Sequence, residues 1–265
     1  MAGLKDNWGV GELYEPYVGR WSRKVATQFL AWLELAPDLE WLDVGCGTGA
    51  LTETILLEAK PASVVAVDPS RGFVQYAQEN IPDPRASFEG GDAQKLALDS
   101  DSFDVAVGGL MLNFVPQPAL AAAEMARVVK PGGTVAAYVW DYAGRMQLMR
   151  HFWEAAVELN PGARELDEGS RFPLCQPAAL EQLLVDAGMD NVELRAIDIA
   201  TPFSDFDDYW SPFLGGQGSA PTYVMSLNEG QRTMLRERLR QTLPQRADGA
   251  IELSARAWAV RATVV

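Results

Sequence analysis

The residues most able to do chemistry cluster in one short run, Asp43-Val44-Gly45-Cys46-Gly47-Thr48-Gly49, with a second carboxylate, Asp68, placed 23 residues after Gly45. A strand that ends in Gly-x-Gly-x-Gly and enters a helix offers a ligand bare backbone, since side chains at Gly45 or Gly47 would obstruct its approach. Asp68 falls at the expected end of the next strand, where a carboxylate can accept both hydroxyls of a ribose. The glycine spacing lacks the third glycine of the dinucleotide pattern, and Ala50 stands there. Asp43, just before the turn, would repel a pyrophosphate and suits a cationic nucleoside ligand. A tight turn without any ligand, with Asp68 capping the helix near Ser70, is the bland alternative.

These residues need elements to hold them. Trp21, Val25, Phe29 and Trp32 recur at helical spacing, predicting a helix over 20–35 that Ala36-Pro37-Asp38 stops. Strands are expected at 39–44, 63–67, 86–89, 103–107 and 134–140, and helices at 48–57, 71–80 and 118–129. Lys130-Pro131-Gly132-Gly133 breaks the last of these. Val- and Ala-rich strands separated by helices imply parallel crossovers and a sheet covered on both faces. After Asp141 the rhythm changes. Helices are expected at 146–159 and 177–187, a strand at 191–197, a mostly helical insertion over 203–243 and a last strand at 251–264.

Five motifs in order carry a resemblance. Trp41 to Gly49, Val65-Ala66-Val67-Asp68-Pro69-Ser70, Gly91-Asp92-Ala93, Ser102 to Val105 with Leu110 to Phe114, and Val128 to Gly133 resemble the successive motifs of class I S-adenosylmethionine-dependent methyltransferases. The likeness is to the bacterial small-molecule group that includes the ubiquinone and menaquinone enzymes, although the quinone enzymes' own signatures are not evident. It implies an α/β, Rossmann-like fold: a seven-stranded, mostly parallel sheet with an antiparallel last strand, helices on both faces, and a helical cap between the last two strands. The expected organisation is an N-terminal arm and helix over the cofactor (1–35), a cofactor-binding core (36–141), and a substrate cap (about 142–190 and 203–245) with the last two strands.

By the same resemblance S-adenosylmethionine would contact Asp43, Gly45, Cys46, Gly47, Asp68, Pro69, Asp92, Ala93, Gln94 and Leu110. The arm, Tyr14 to Ser22, resembles one that relatives fold over the cofactor, with Tyr17 and Arg20 reaching the methionine carboxylate. A sulfonium already activates its methyl group, so the protein mainly aligns a nucleophile and excludes water. His151, the single histidine, is the candidate general base. Asn113, Phe114, Trp140, Tyr142, Trp153, Tyr209 and Trp210 are candidate substrate contacts; Phe152, Phe203 and Phe213 are further aromatic candidates, most of which a packed cap would absorb as core.

Composition narrows the partners. A net charge of −14 without a dense Lys/Arg run argues against nucleic acid and anionic membranes. Two cysteines far apart in sequence fit a reducing cytoplasm rather than a disulfide framework. No metal site is expected, and a monomer or homodimer acting on a small molecule is. The Asn/Asp-Pro-Pro-Tyr motif of amino-group methylation and the Pro-Cys nucleophile of cytosine chemistry are absent from the sequence. A fold relative that binds S-adenosylmethionine without transferring methyl, as a pericyclic enzyme or a binder, is the rival reading. A nicotinamide-dependent oxidoreductase conflicts with Asp43 and the glycine spacing.

Overall fold

The computed structural model describes residues 15–216 and 218–265. The first part of the expected arm, Tyr14 included, lies outside them. A π-helical turn, Glu15–Gly19, leads into helix α1, Arg20–Leu33, which buries Trp21, Val25, Phe29 and Trp32 on one face, as their spacing requires. Glu34 closes it in the left-handed conformation.

Strand β1 (Glu40–Val44) runs into the glycine turn. Helix α2 (Ala50–Thr54) then begins after Gly49 and continues as a π-helical turn through Ala59. There follow β2 (Ser63–Asp68), α3 (Arg71–Asn80), β3 (Ala86–Gly90), β4 (Phe103–Gly109) and α4 (Pro118–Val128). Strand β5 spans Val129–Trp140, so the Lys-Pro-Gly-Gly segment is drawn into the strand instead of separating it from the helix. A register shift against β4 between Phe103 and Val105 absorbs the irregularity. Gly132 sits at φ 82°, and a Cβ on Gly133 would come within 2.6 Å of the Asp104 carbonyl. Lys130 fastens this corner through ion pairs of 2.9 Å to Glu40 and Asp104.

The rest comprises α5 (Gln147–Leu159), α6 (Glu168–Arg171), α7 (Pro177–Asp186), β6 (Asp190–Phe203), α8 (Phe206–Trp210), α9 (Ser219–Ser226), α10 (Glu229–Thr242) and β7 (Ile251–Thr263). A reciprocal cap between Asn228 and Gln231 starts α10. Strand β6 extends well past its expected end at Ile197, because β7 pairs with it as far as Phe203↔Ile251.

The sheet order is β3-β2-β1-β4-β5-β7-β6. All neighbours are parallel except the pairs made by β7, which inserts antiparallel between β5 and β6. The chain moves outward from β1 to β3 and then returns to β4 on the other side of β1. That reversal opens a crevice at the carboxyl ends of β1 and β4, where open α/β sheets bind ligands.

Candidate active site

The crevice is a cleft of about 1070 Å³, counting its open mouth. Gly47, Asp68, Pro69, Asp92, Ala93 and Gln94 line one end; Leu110, Phe114, Trp140 and Tyr142 also line it. A second cavity, of about 350 Å³, shares Gly45, Gly47, Thr48, Gly109 and Leu110 with the cleft and adds Ser22, Asp43, Cys46 and Tyr138. The two are therefore contiguous around the glycine turn.

Asp68 holds the turn in shape. One carboxylate oxygen accepts from the Gly47 N–H at 3.0 Å and the other from the Ser70 N–H at 2.8 Å. Each oxygen keeps a lone pair for a further donor, as a ribose diol would require. Burial raises the Asp68 carboxyl above its ordinary range, against the pull of those two N–H groups. Gly47, at φ 55°, has nothing within 4 Å of where a Cβ would stand, so its face is open. Gly45 is constrained differently: a Cβ there would come within 2.6 Å of the Met111 Cβ. Its smallness serves packing against the loop that follows β4 as well as the turn, which the glycine spacing alone did not reveal.

Asp43 is fully buried. One of its oxygens accepts from the Thr52 hydroxyl at 2.6 Å, and the other, Oδ1, is buried without a partner. Burial pushes its carboxyl up to about 7; the Thr52 bond opposes this and the nearby Asp68 charge adds to it. Cys46 is raised well above its usual range, chiefly by burial. That fits an inert thiol rather than a nucleophile.

Beyond β3, Asp92 accepts from both the backbone N–H (2.9 Å) and the side-chain amide (3.0 Å) of Gln94, which hold it below its ordinary value. Gln94 in turn accepts from the Gln117 N–H at 3.1 Å, tying this loop to the start of α4. Leu110 stands at φ 63°, a left-handed conformation costly for leucine, and its N–H donates to the Tyr138 carbonyl at 2.8 Å.

Several expected site residues are elsewhere. Arg20 does not line either cavity: its guanidinium lies 4.4 Å from the Trp21 ring and 4.7 Å from Phe203, and pairs with Asp208 at 2.7 Å. Tyr17 is also turned away, its hydroxyl 3.1 Å from the Met149 sulfur and its ring edge-on to Phe213. Among the described residues of the arm, Val18 reaches the cleft. His151, on α5, lines neither cavity, and partial burial lowers its pKa. Asn113 is behind the wall, its amide 3.6 Å from the Cys175 sulfur.

The cap aromatics are core. Trp153 donates its indole N–H to the buried Glu168 carboxylate, and the Tyr209 hydroxyl donates to the Leu148 carbonyl at 2.9 Å. Trp210 packs on Phe213, which stacks on Phe152 at 4.6 Å. Aromatic residues on one helical face signal burial without saying whether a ligand or another helix buries them, and here the helices bury one another. Sequence reading placed Val18, Ser22, Thr48 and Met111 inside its motifs without naming them as contacts, and passed over Phe73 and Tyr138. Phe73, in the first turn of the helix after Asp68, carried a positional signal; Tyr138 did not.

Residues 42–137 match the methyltransferase-domain family. The chain is 36% identical over 187 residues to the 2-methyl-6-phytyl-1,4-hydroquinone methyltransferase of Synechocystis, a match covering 69% of this chain and 57% of that protein. Among solved structures it resembles a candidate methyltransferase from Bacillus halodurans (TM-score 0.60, 15% identity, 90% of this chain and 97% of that one). It also resembles phosphoethanolamine N-methyltransferase 2 of Haemonchus contortus in complex with S-adenosyl-L-methionine (TM-score 0.58, 15% identity, 96% and 56%). At such identities these two report the fold. The chain thus has the Rossmann-like methyltransferase fold. More particularly, its likeness to the methyltransferase-domain family lies in residues 42–137, and the match spans just over half the length of the Synechocystis relative.

Proposed function

We propose that the chain transfers a methyl group from S-adenosylmethionine to an oxygen, nitrogen or carbon nucleophile of a small aromatic or apolar molecule. The observation that carries this is the buried, unpartnered Asp43 Oδ1 beside the cavity that joins the cleft. A buried carboxylate oxygen left without a donor is costly and calls for a cationic or donating partner. Three carboxylates (Asp43, Asp68 and Asp92), with no Lys or Arg among the described lining residues, suit a cationic nucleoside and disfavour a phosphate.

When bound, S-adenosylmethionine supplies a methyl group already activated by its sulfonium. In this reading Asp68 accepts the ribose hydroxyls, Asp92, Ala93 and Gln94 meet the adenine, and Asp43 faces the methionine end. Leu110, Phe114, Trp140 and Tyr142 form the walls that orient the acceptor and exclude water. The segment from residue 15 to 35 covers the site from one side through Val18 and Ser22. The helices of 142–190 and 203–245 buttress the acceptor wall from outside rather than lining it. The hydroquinone acceptor named for the Synechocystis relative is compatible with such walls. The strong net negative charge makes nucleic acid an unsuitable acceptor.

The test is S-adenosylhomocysteine binding by calorimetry, followed by its release from S-adenosylmethionine across an acceptor panel. Asp68→Ala should weaken binding by at least about a hundredfold, the equivalent of two charged hydrogen bonds. Because Asp68 also holds the Gly47 and Ser70 N–H groups, its melting temperature must be measured alongside. Near-normal affinity would show the ribose to be misplaced. Binding without release across a broad panel would favour a binder or a non-transferring enzyme.

A further inference from the structure

The acceptor end of the cleft has an unusual electrostatic character. Among the described residues no Lys, Arg or His lines the cleft, and its carboxylates, Asp68 and Asp92, are the two assigned above to the nucleoside. The walls near Leu110 are the rings of Phe114, Trp140 and Tyr142. Behind them is another ring: Phe172 lies 5.1 Å from Phe114 and 5.9 Å from Tyr142.

The cations around this wall are engaged elsewhere. Arg20 pairs with Asp208, and Arg150 with Asp167. Arg171 lies over the outer ring, 5.1 Å from Phe172, and donates to the Ser219 hydroxyl at 2.8 Å. Nothing positive in the described structure is therefore directed at the acceptor.

We propose that this end of the cleft selects an uncharged aromatic acceptor and rejects molecules bearing a carboxylate or a phosphate. The proposal rests on the methyl-transfer reading above and adds the charge of the substrate to it. An anion entering this end would leave water and meet no cation among the described lining residues, inside a chain of net charge −14. An uncharged ring loses no charge solvation on entry and gains edge and face contacts with Phe114, Trp140 and Tyr142.

The test is calorimetric titration of the full chain, loaded with S-adenosylhomocysteine, with two probes of one shape: 2-naphthol and 2-naphthoate. At pH 7 the naphthol should bind at least about tenfold more tightly than the naphthoate. Phe114→Lys, or Val18→Lys if that variant does not fold, should turn the preference toward naphthoate. Equal or tighter binding of naphthoate to the unmodified chain overturns the proposal. So does the failure of both to bind while S-adenosylhomocysteine binds normally. Failure of S-adenosylhomocysteine itself to bind sinks the methyl-transfer reading, and the charge selection with it.

Discussion

Replacing Asp43 by asparagine should make the protein more stable at alkaline pH and change the way its stability depends on pH. In the folded chain burial moves this carboxyl from an ordinary 3.8 to about 7. The folded state therefore holds a proton between those values that the unfolded state has released. Stability from this group is fully present below pH 3.8, declines as pH rises, and is lost above about 7. At about 1.4 kcal/mol per pH unit the whole span amounts to roughly 4 kcal/mol, of which about 3 kcal/mol falls between pH 5 and 8. Asparagine keeps an oxygen for the Thr52 hydroxyl and carries no titratable proton. The stability difference between wild type and Asp43→Asn should therefore move by about 3 kcal/mol across that interval, roughly 6–10 °C in melting temperature.

Melting curves of both proteins from pH 5 to 8, without cofactor, measure this directly, because groups common to both cancel. A cationic ligand beside Asp43 stabilises its ionised form, so S-adenosylmethionine binding at pH 6.5 should release most of one proton in wild type and none in the variant. Calorimetry in buffers of different ionisation enthalpy counts it. A difference in melting temperature that stays flat within about 1 °C from pH 5 to 8 would refute the buried-carboxyl argument. Equal proton release from both proteins would refute the contact with the cofactor.

Two further outcomes follow from residues displaced from their expected roles. His151→Gln should leave the turnover rate within about twofold, since a positioned base contributes at least about a hundredfold and this side chain lines neither cavity; a larger loss in initial rate would return it to the site. Tyr209→Phe should cost about 1 kcal/mol by removing the hydroxyl that donates to the Leu148 carbonyl in the first turn of α5, with S-adenosylhomocysteine affinity unchanged; a selective loss of ligand affinity would show that the ring senses the cleft.

The legibility of the sequence followed the number of constraints on each residue. The five parallel strands were readable because both faces are covered, which writes continuous Val/Ala runs into the chain. The glycine turn was readable because positive φ at Gly45, Gly47 and Gly49 excludes most other residues. Strand β5 was started too late because proline and glycine are breakers locally, whereas the bulge against β4 is a property of the pair. Arg20 lines neither cavity, and its surroundings were hidden for a related reason. A guanidinium suits a carboxylate wherever it is found, and one of its nitrogens pairs with Asp208, 188 residues away.

The features that conflict with stability converge on one place. Asp43 Oδ1 is a buried acceptor without a donor, and Leu110 is a leucine held at φ 63°. Asp43 is one residue from the end of β1, Leu110 immediately follows β4, and both line the second cavity. Most of the remaining unpartnered buried atoms are neutral indole N–H groups or guanidinium nitrogens (two of Arg20, one of Arg150) in arginines paired through another nitrogen. None of those combines a titratable group with a neighbouring cavity and a strained backbone. A sequence selected for folding alone would shed both the carboxylate and the strain by simple substitutions, Asp43 to asparagine and Leu110 to glycine. Their coincidence at the point where the sheet reverses direction is physical evidence for a ligand there, independent of the motif that first drew attention to it.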